Sequence, residues 1–397
     1  MHHSQDLPSP QRRPCPPDAG YSRQTVLVAC ATILVALFTA TGFLSRAFHQ
    51  KELAIAEDWN ERGNAALAAG HAREARDSYR NALIYEPQNT DYQLHLAQAL
   101  AAYGLPDQSR AYLLNLLVQF PGDGEINLDL ARLAAKDGVV DAAVHYYHGA
   151  IYGAWDVAPV ESRRKARLEL ATFLVNHGQD PQAEAELITL AAGAPPDESG
   201  LHATIGDLFS RAGDSARALG EFEIALKGLP NNFDALSGAG SAAFRLRDYR
   251  RAADDLERAL AERPGDAEIN SELETSRFVL SSDPFAPNLS PNERARRASA
   301  LLAEAASRAG KCLSATQEPG ASTQLGSLLE RVKAASPNAW SEPGLRLHPE
   351  QIAPAMRAAF NLELEADQQC GHAQGRDLAL EMIRDLHADI FQGAPGT

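Results

Sequence analysis

The sequence is poor in aromatic residues, in cysteine and in positive charge. Aromatic side chains make up 7% of its 397 residues. Its four cysteines are too few for a disulfide-dense mini-protein and are wrongly spaced for a four-cysteine zinc site. Lysine and arginine number 37 against 52 acidic residues, so the formal net charge is −15 and nucleic acid is not an expected partner. Abundant alanine with few aromatics favours close-packed helices over a β-sandwich.

The short motifs that identify common enzyme classes are also missing. The sequence has no P-loop, no dinucleotide-binding glycine fingerprint, no G-x-S-x-G and no H-E-x-x-H. The pair His145 and His148 is interpreted as part of an exposed helix face rather than as a metal site, and acidic clusters such as Asp254–Asp255 are interpreted in the same way. We therefore predict a protein that is not an enzyme and that uses no cofactor and no metal.

One long segment near the N-terminus contains no charged residue. A helix over residues 25–44 is long enough to cross the ~30 Å hydrocarbon core of a bilayer. The Pro- and Ser-rich residues 1–24 are predicted to be a disordered tail. A cleaved signal peptide is the alternative, but this apolar run exceeds the usual ~7–15 residues. We predict an uncleaved transmembrane signal anchor over residues 25–47.

The distribution of positive charge around this span does not decide its orientation, since three basic residues lie close to it on each side. A single span after a short tail suggests that the rest of the chain is translocated. We therefore expect a single-pass protein of a bacterial inner membrane, with most of the chain in the periplasm.

Internal repeats follow the apolar segment. Glycine recurs at intervals of 34, 34, 40 and 35 residues, with a small residue five positions after each glycine and a proline seventeen positions after most of them. The glycines are Gly70, Gly104, Gly138, Gly178 and Gly213, and the small residues are Ala75, Ser109, Ala143, Ala183 and Ala218. A sixth unit has Arg247 at the glycine position, followed by Ala252 and Pro264.

Each landmark has a role in a pair of antiparallel helices. A glycine takes the left-handed conformation that ends the first helix. A small residue allows the second helix to cross the first at short range. Proline has no amide hydrogen and so ends the second helix. The small residues are therefore predicted to be buried where the two helices of one repeat cross.

This pattern resembles the tetratricopeptide repeat, a 34-residue helix-turn-helix unit. Residues 56–89 show the resemblance best, through Trp59, Gly63, Gly70, Ala75, Tyr79, Ala82 and Pro87. The resemblance covers about half of the chain and implies an all-α fold, with an α-solenoid of about six repeats after the transmembrane helix. We assign the repeats and a capping helix to residues 54–280, a linker to 281–289 and a C-terminal helical domain to 290–397.

The resemblance also implies a groove, lined by the first helices of successive repeats, that binds an extended segment of another protein. Mapped by repeat position, the groove residues are Asn60, Asn64, Gln98, Arg132, Lys136, Thr172, Asn176, Asp207, Arg211, Ser241 and Arg245. Asparagine and glutamine can hydrogen-bond a peptide backbone, and arginine can bind a carboxylate through two bonds. The alternative is that these polar side chains only keep an open surface soluble.

Cys312 and Cys370 lie at predicted helix ends in the C-terminal domain. In an oxidising compartment the simplest interpretation is a structural disulfide, and two free buried thiols are the alternative.

The predicted function is a membrane-anchored scaffold that gathers protein or peptide partners in envelope assembly. One alternative is a factor for cytochrome c maturation or pilus assembly. Another is a hydrolase in the C-terminal domain that the repeats direct to its target.

Overall fold

The computed structural model describes residues 23–315, 324–335, 349–371 and 376–387. This part of the chain forms seventeen α-helices and no strand, which confirms the predicted all-α fold class. It divides into two compact units, Met1–Val139 and Val140–Thr397, which are described separately. The predicted disordered tail lies almost wholly outside the described residues, as do parts of the C-terminal domain.

The first unit contains five helices. They are α1 (Arg23–Ala68), α2 (Ala72–Tyr85), α3 (Thr90–Tyr103), α4 (Pro106–Gln119) and α5 (Gly124–Lys136). Consecutive helices pack on each other, and the first helices α1, α3 and α5 also contact one another in order. The second helices α2 and α4 form the other layer of the unit.

Helix α1 joins the apolar segment to the first repeat without a break. Its 46 residues extend for about 69 Å at 1.5 Å per residue. By length and composition its N-terminal part can cross a membrane, and none of the apolar segment is buried. The hydroxyls of Thr32, Thr39 and Thr41 donate to carbonyls three or four residues earlier in the helix, so these polar groups are satisfied within the apolar segment.

The second unit contains the remaining helices. The repeats and their cap are α6 (Val140–Tyr152), α7 (Pro159–Asn176), α8 (Asp180–Gly193), α9 (Ser199–Arg211), α10 (Ser215–Gly228), α11 (Phe233–Arg245), α12 (Tyr249–Glu262) and α13 (Ala267–Ser282). The C-terminal helices are α14 (Pro291–Ala315), α15 (Gln324–Ala335), α16 (Pro349–Cys370) and α17 (Arg376–Leu386).

The repeat landmarks take the conformations that their chemistry favours. All five glycines have φ between 66° and 91°, and Arg247 adopts the same left-handed conformation at φ 65°. Every small residue of the series is fully buried. Five second helices end two residues before a proline, because the residue preceding a proline is disfavoured in the helical region.

Glycine also makes room for an aromatic ring between repeats. The Phe222 side chain is only 2% exposed and lies between Gly206 of α9 and Gly238 of α11. A Cβ atom at Gly206 would lie 2.8 Å from Phe222 Cε1, and one at Gly238 would lie 2.3 Å from Phe222 Cζ. Two consecutive first helices therefore form a slot that only glycine keeps open.

The predicted linker over residues 281–289 joins two segments that share one hydrophobic core. Helix α13 continues to Ser282, and Asp283 is buried. Tyr249 of the last repeat and Val279 of α13 belong to the same buried cluster as Leu302 and Met356 of the C-terminal helices. The C-terminal helices consequently pack directly on the end of the repeats.

Polar contacts strengthen this junction. Arg247 Nη1 donates to the Asp385 carbonyl at 2.7 Å, and Arg247 Nη2 lies 3.1 Å from the Asp385 carboxylate. His387 Nε2 lies 3.0 Å from each carboxylate oxygen of Asp283. A left-handed arginine costs roughly 1–2 kcal/mol relative to glycine. The contact with Asp385 gives a physical reason why the sixth repeat departs from the glycine pattern.

A disulfide joins α14 to the end of α16. The Cα atoms of Cys312 and Cys370 are 5.9 Å apart, and the bond closes a loop across 58 residues. One turn earlier in α14, Arg308 pairs with the buried Glu363 and with Asp367 at 2.6 Å. Arg308 also donates to the Gly371 carbonyl at 2.9 Å, so the same two helices are connected by charge and by a covalent bond.

Candidate functional site

The predicted groove residues lie on first helices of the repeats. The inner face of a unit is defined as the surface on which its neighbouring first helices make polar contacts with each other. Of the predicted residues, Asn60, Asn64, Gln98, Arg132 and Lys136 lie in the first unit, and Thr172, Asn176, Asp207, Arg211, Ser241 and Arg245 lie in the second.

The asparagines of the first unit take part in contacts within the protein. Asn60 is only 7% exposed, and its Oδ1 lies 2.9 Å from His95 Nδ1. Asn64 Oδ1 accepts a hydrogen bond from the Tyr79 hydroxyl at 2.8 Å. Burial raises the pKa of Tyr79 to about 12, so this hydroxyl remains a donor at neutral pH. Asn60 is therefore a structural bridge between α1 and α3 rather than an open binding position.

A second polar cluster joins α3 to α5. Gln98 Nε2 donates to Glu125 at 2.8 Å and to Asp129 at 2.9 Å, and Arg132 Nη1 lies 3.3 Å from Asp129. Desolvation raises the pKa of Asp129 to about 6, against the opposing effects of Gln98 and Arg132. Arg132 is 41% exposed but has an acidic neighbour on its own helix, whereas Lys136 is exposed at the end of α5.

In the second unit two arginines reach back to the preceding repeat. Arg211 donates to Asn176 and also lies 3.6 Å from Asp207. Arg245 donates through Nε to Ser215 at 3.1 Å and through Nη2 to Ser210. Both arginine side chains are exposed, so the bonds orient them without burying their charge.

The two hydroxyl residues of the set are bonded inside the protein. Ser241 donates to Glu272 at 2.5 Å, which connects α11 to the capping helix α13. Desolvation raises the pKa of Glu272, while Ser241 and Arg245 act in the opposite direction. Thr172 donates to the Leu168 carbonyl at 2.8 Å within its own helix.

The predicted strip of four cations over Arg132, Lys136, Arg211 and Arg245 stays a prediction. Arg132 lies near Asp129, three residues earlier on the same helix, and Arg211 lies near Asp207, four residues earlier on its helix. These local pairs reduce the net positive charge that the two arginines present. Arg245 donates to the neutral hydroxyls of Ser210 and Ser215, and it also interacts electrostatically with the Glu272 carboxylate.

Several residues of the inner faces were not predicted. Glu57 accepts from the Tyr92 hydroxyl at 2.9 Å, and both His95 and Asp129 bridge neighbouring first helices. His95 and Asp129 are 34 residues apart, so they occupy the same position in successive repeats. The 34-residue spacing could have identified these two residues from the sequence. A polar residue that recurs at the same position of successive first helices indicates that it contacts the neighbouring first helix in each repeat.

The repeats consist of stacked antiparallel helix pairs. Each pair has a left-handed turn and a buried small residue at the helix crossing, and most pairs end before a proline. These features define a helical-repeat protein. The sequence profile of the tetratricopeptide repeat matches residues 60–124 and 204–267. These two segments of the chain are tetratricopeptide repeats.

Three solved structures illustrate the likeness. PilF of Pseudomonas aeruginosa is 15% identical over 55% of this chain and 97% of its own, with a TM-score of 0.43. PilW, a type IV pilus biogenesis factor, is 19% identical over 55% and 98%, also with a TM-score of 0.43. YrrB, described as a TPR protein with an unusual peptide-binding site, is 15% identical over 51% and 100%, with a TM-score of 0.42. No curated protein sequence matches the chain.

Proposed function

We propose that the chain is a membrane-anchored, non-catalytic scaffold that binds an extended segment of another protein on the inner face of its repeats, and that it does so in envelope assembly. The observation that carries the binding proposal is the arrangement of Arg211 and Arg245. Each is exposed, and each is oriented by hydrogen bonds to the preceding repeat.

The chemistry of this pair favours a carboxylate ligand. A guanidinium group can bind a carboxylate through two parallel hydrogen bonds. Because Asn176, Ser210 and Ser215 already restrict the two side chains, less conformational entropy is lost when the ligand binds. An acidic segment or a C-terminal carboxylate is therefore the proposed ligand class.

Binding can be tested with a fluorescent acidic peptide that carries either a free or an amidated C-terminus. We expect the full chain in nanodiscs to bind the free carboxylate more tightly, and we expect association to slow as salt rises. The double variant Arg211→Glu/Arg245→Glu should lose this binding. The matched control Lys227→Glu/Arg250→Glu makes the same change of charge on the second helices α10 and α12 and should bind normally. Equal loss in both variants would show that net charge, not the inner face, attracts the peptide.

Anchoring and location have separate support. Helix α1 has the length and composition of a membrane span, and the Cys312–Cys370 disulfide suits an oxidising compartment. We propose a single-pass inner-membrane protein with its repeats in the periplasm. A reporter fused after Thr397 that is active only outside the cytoplasm should be active. Activity of a cytoplasm-only reporter at that position would contradict the proposed location.

A further inference from the structure

The uninterrupted helix α1 distinguishes the two edges of the first unit. Helix α1 runs from the apolar segment to Ala68, α2 returns, α3 runs away again and α4 returns. Two hydrogen bonds show this alternation, because each joins residues at the same height along the axis of α1. One joins Asn64 of α1 to Tyr79 of α2, and the other joins Glu57 of α1 to Tyr92 of α3. The near edge, defined as residues 84–91 and 118–125, therefore faces the apolar segment. The far edge, defined as residues 69–73, 103–107 and 136–139, faces away from it.

The height of the near edge follows from the helical rise. The Tyr92 hydroxyl lies 2.9 Å from the Glu57 carboxylate, which places the start of α3 beside Glu57 of α1. Glu57 follows Leu44, the last residue of the apolar run, by thirteen residues. At 1.5 Å per residue the near edge lies about 20 Å beyond the end of the apolar run.

The near edge is acidic and apolar. Its two segments contain no lysine, arginine or histidine. They contain four carboxylates, those of Glu86, Asp91, Asp123 and Glu125. Its exposed apolar residues are Ile84 (70%), Tyr85 (39%), Val118 (83%) and Phe120 (44%). The far edge also exposes Tyr103 and Val139, but it carries bases, among them Arg73 and Lys136, as well as acids.

A bilayer surface does not match this edge. Anionic headgroups repel the four carboxylates. The headgroup layer is about 5–7 Å thick on each side of the hydrocarbon core, so roughly 13–15 Å separates it from the near edge. A helix with its side chains is about 10–12 Å across, so this layer has room for one polypeptide segment.

We propose that the near edge binds a cationic, apolar segment of another membrane-bound chain that lies in this layer. The inference rests on the proposed membrane anchoring of α1. Apolar side chains of the segment would cover residues such as Val118 and Phe120, and its lysines or arginines would face the carboxylates. Confinement to one membrane raises the effective concentration of such a segment.

Photo-crosslinking in native membranes tests the proposal. A benzophenone amino acid is placed at Val118 of the full chain, and the matched control carries it at Val139, an exposed valine of the far edge. We expect Val118 to crosslink to a segment that mass spectrometry maps within about 15 residues of an apolar run and that has net positive charge. Adducts with lipid only, with a segment lacking positive charge, or with equal yield from both positions would overturn the proposal, as would the absence of any adduct.

Charge supplies a second, independent readout. Asp91 and Asp107 are both exposed and each is the second residue of its helix, α3 at the near edge and α4 at the far edge. Asp91→Lys and Asp107→Lys thus disturb the helix dipole to the same extent. The crosslink from Val118 should fall several-fold in the Asp91→Lys chain and should be unchanged in the Asp107→Lys chain. Equal yields in the two variants would contradict the role of the acidic edge.

The same membranes separate failure of the inference from failure of the proposed anchoring. Alkaline carbonate should leave the full chain in the membrane pellet. Release of the chain into the supernatant would refute the anchoring itself. Retention in the pellet, together with any of the overturning crosslink results, would refute only the near-edge site.

Discussion

Replacing Gly206 by alanine provides a quantitative test of how the repeats pack. Gly206 lies inside α9, and its new Cβ would lie 2.8 Å from Cε1 and 2.9 Å from Cδ1 of the buried Phe222 ring. The ring has little room to retreat, because a Cβ atom at Gly238 of α11 would lie even closer to it, 2.3 Å from Phe222 Cζ. Overpacking of this kind costs about 1–3 kcal/mol, whereas alanine gains about 1 kcal/mol over glycine in a helix interior. We expect the variant to lose up to about 2 kcal/mol of stability.

Gly220 is the matched control for this change. It lies inside α10 of the same repeat, and a Cβ atom there would meet nothing within 4 Å. Gly220→Ala should therefore stabilise the protein by about 1 kcal/mol, which is the helix-propensity term alone. The difference between the two variants isolates the overpacking of Phe222 and should amount to about 1–3 kcal/mol.

The measurement is the free energy of local opening of α9 and α10, from amide hydrogen exchange of the full chain in detergent micelles. This quantity reports the repeat that carries the substitution rather than unfolding of the whole chain. Faster exchange in Gly206→Ala and slower exchange in Gly220→Ala is the expected pair of results. If both variants protected the amides equally, the slot around Phe222 would not exist and the packing argument would be wrong.

Three further predictions concern buried groups. Asp129 has a pKa of about 6 in the folded protein against about 3.9 in the unfolded chain, so its charge lowers the stability progressively as the pH rises from 4 to 6. The Asp129→Asn variant should therefore be more stable than the unmodified chain at pH 7.5, by on the order of 1–3 kcal/mol, and denaturant titrations should show a smaller difference at pH 4. Ala218→Leu at a fully buried helix crossing should cost about 1–3 kcal/mol, and an unchanged melting temperature would mean that the repeat register is shifted. The double variant Cys312→Ser/Cys370→Ser should lose about 4 kcal/mol in the C-terminal helices, as a 58-residue loop predicts, and insensitivity of the unmodified chain to reductant would contradict this.

Local chemistry made most of the repeat architecture predictable from the sequence. A left-handed turn at Gly70 or Gly213, a buried alanine five residues later and a helix end before Pro230 each depend on interactions within a few residues. Such interactions recur wherever the same residues recur, so the 34-residue spacing revealed them. Arg247 shows the strength of the pattern, because it takes the conformation of the glycine that it replaces.

Contacts between repeats were decided by the tertiary structure. The bond of Asn60 to His95, the slot around Phe222 and the cross-repeat bonds of Arg211 depend on how far apart the first helices lie and on the angle at which they cross. The shared core beneath residues 281–289 depends likewise on many side chains packing at once. The sequence by itself thus determined the helices, their turns and their register, through interactions along one segment of chain. Only the packed helices determined which polar groups meet and which stay exposed, because those distances are set by all the side chains of an interface together.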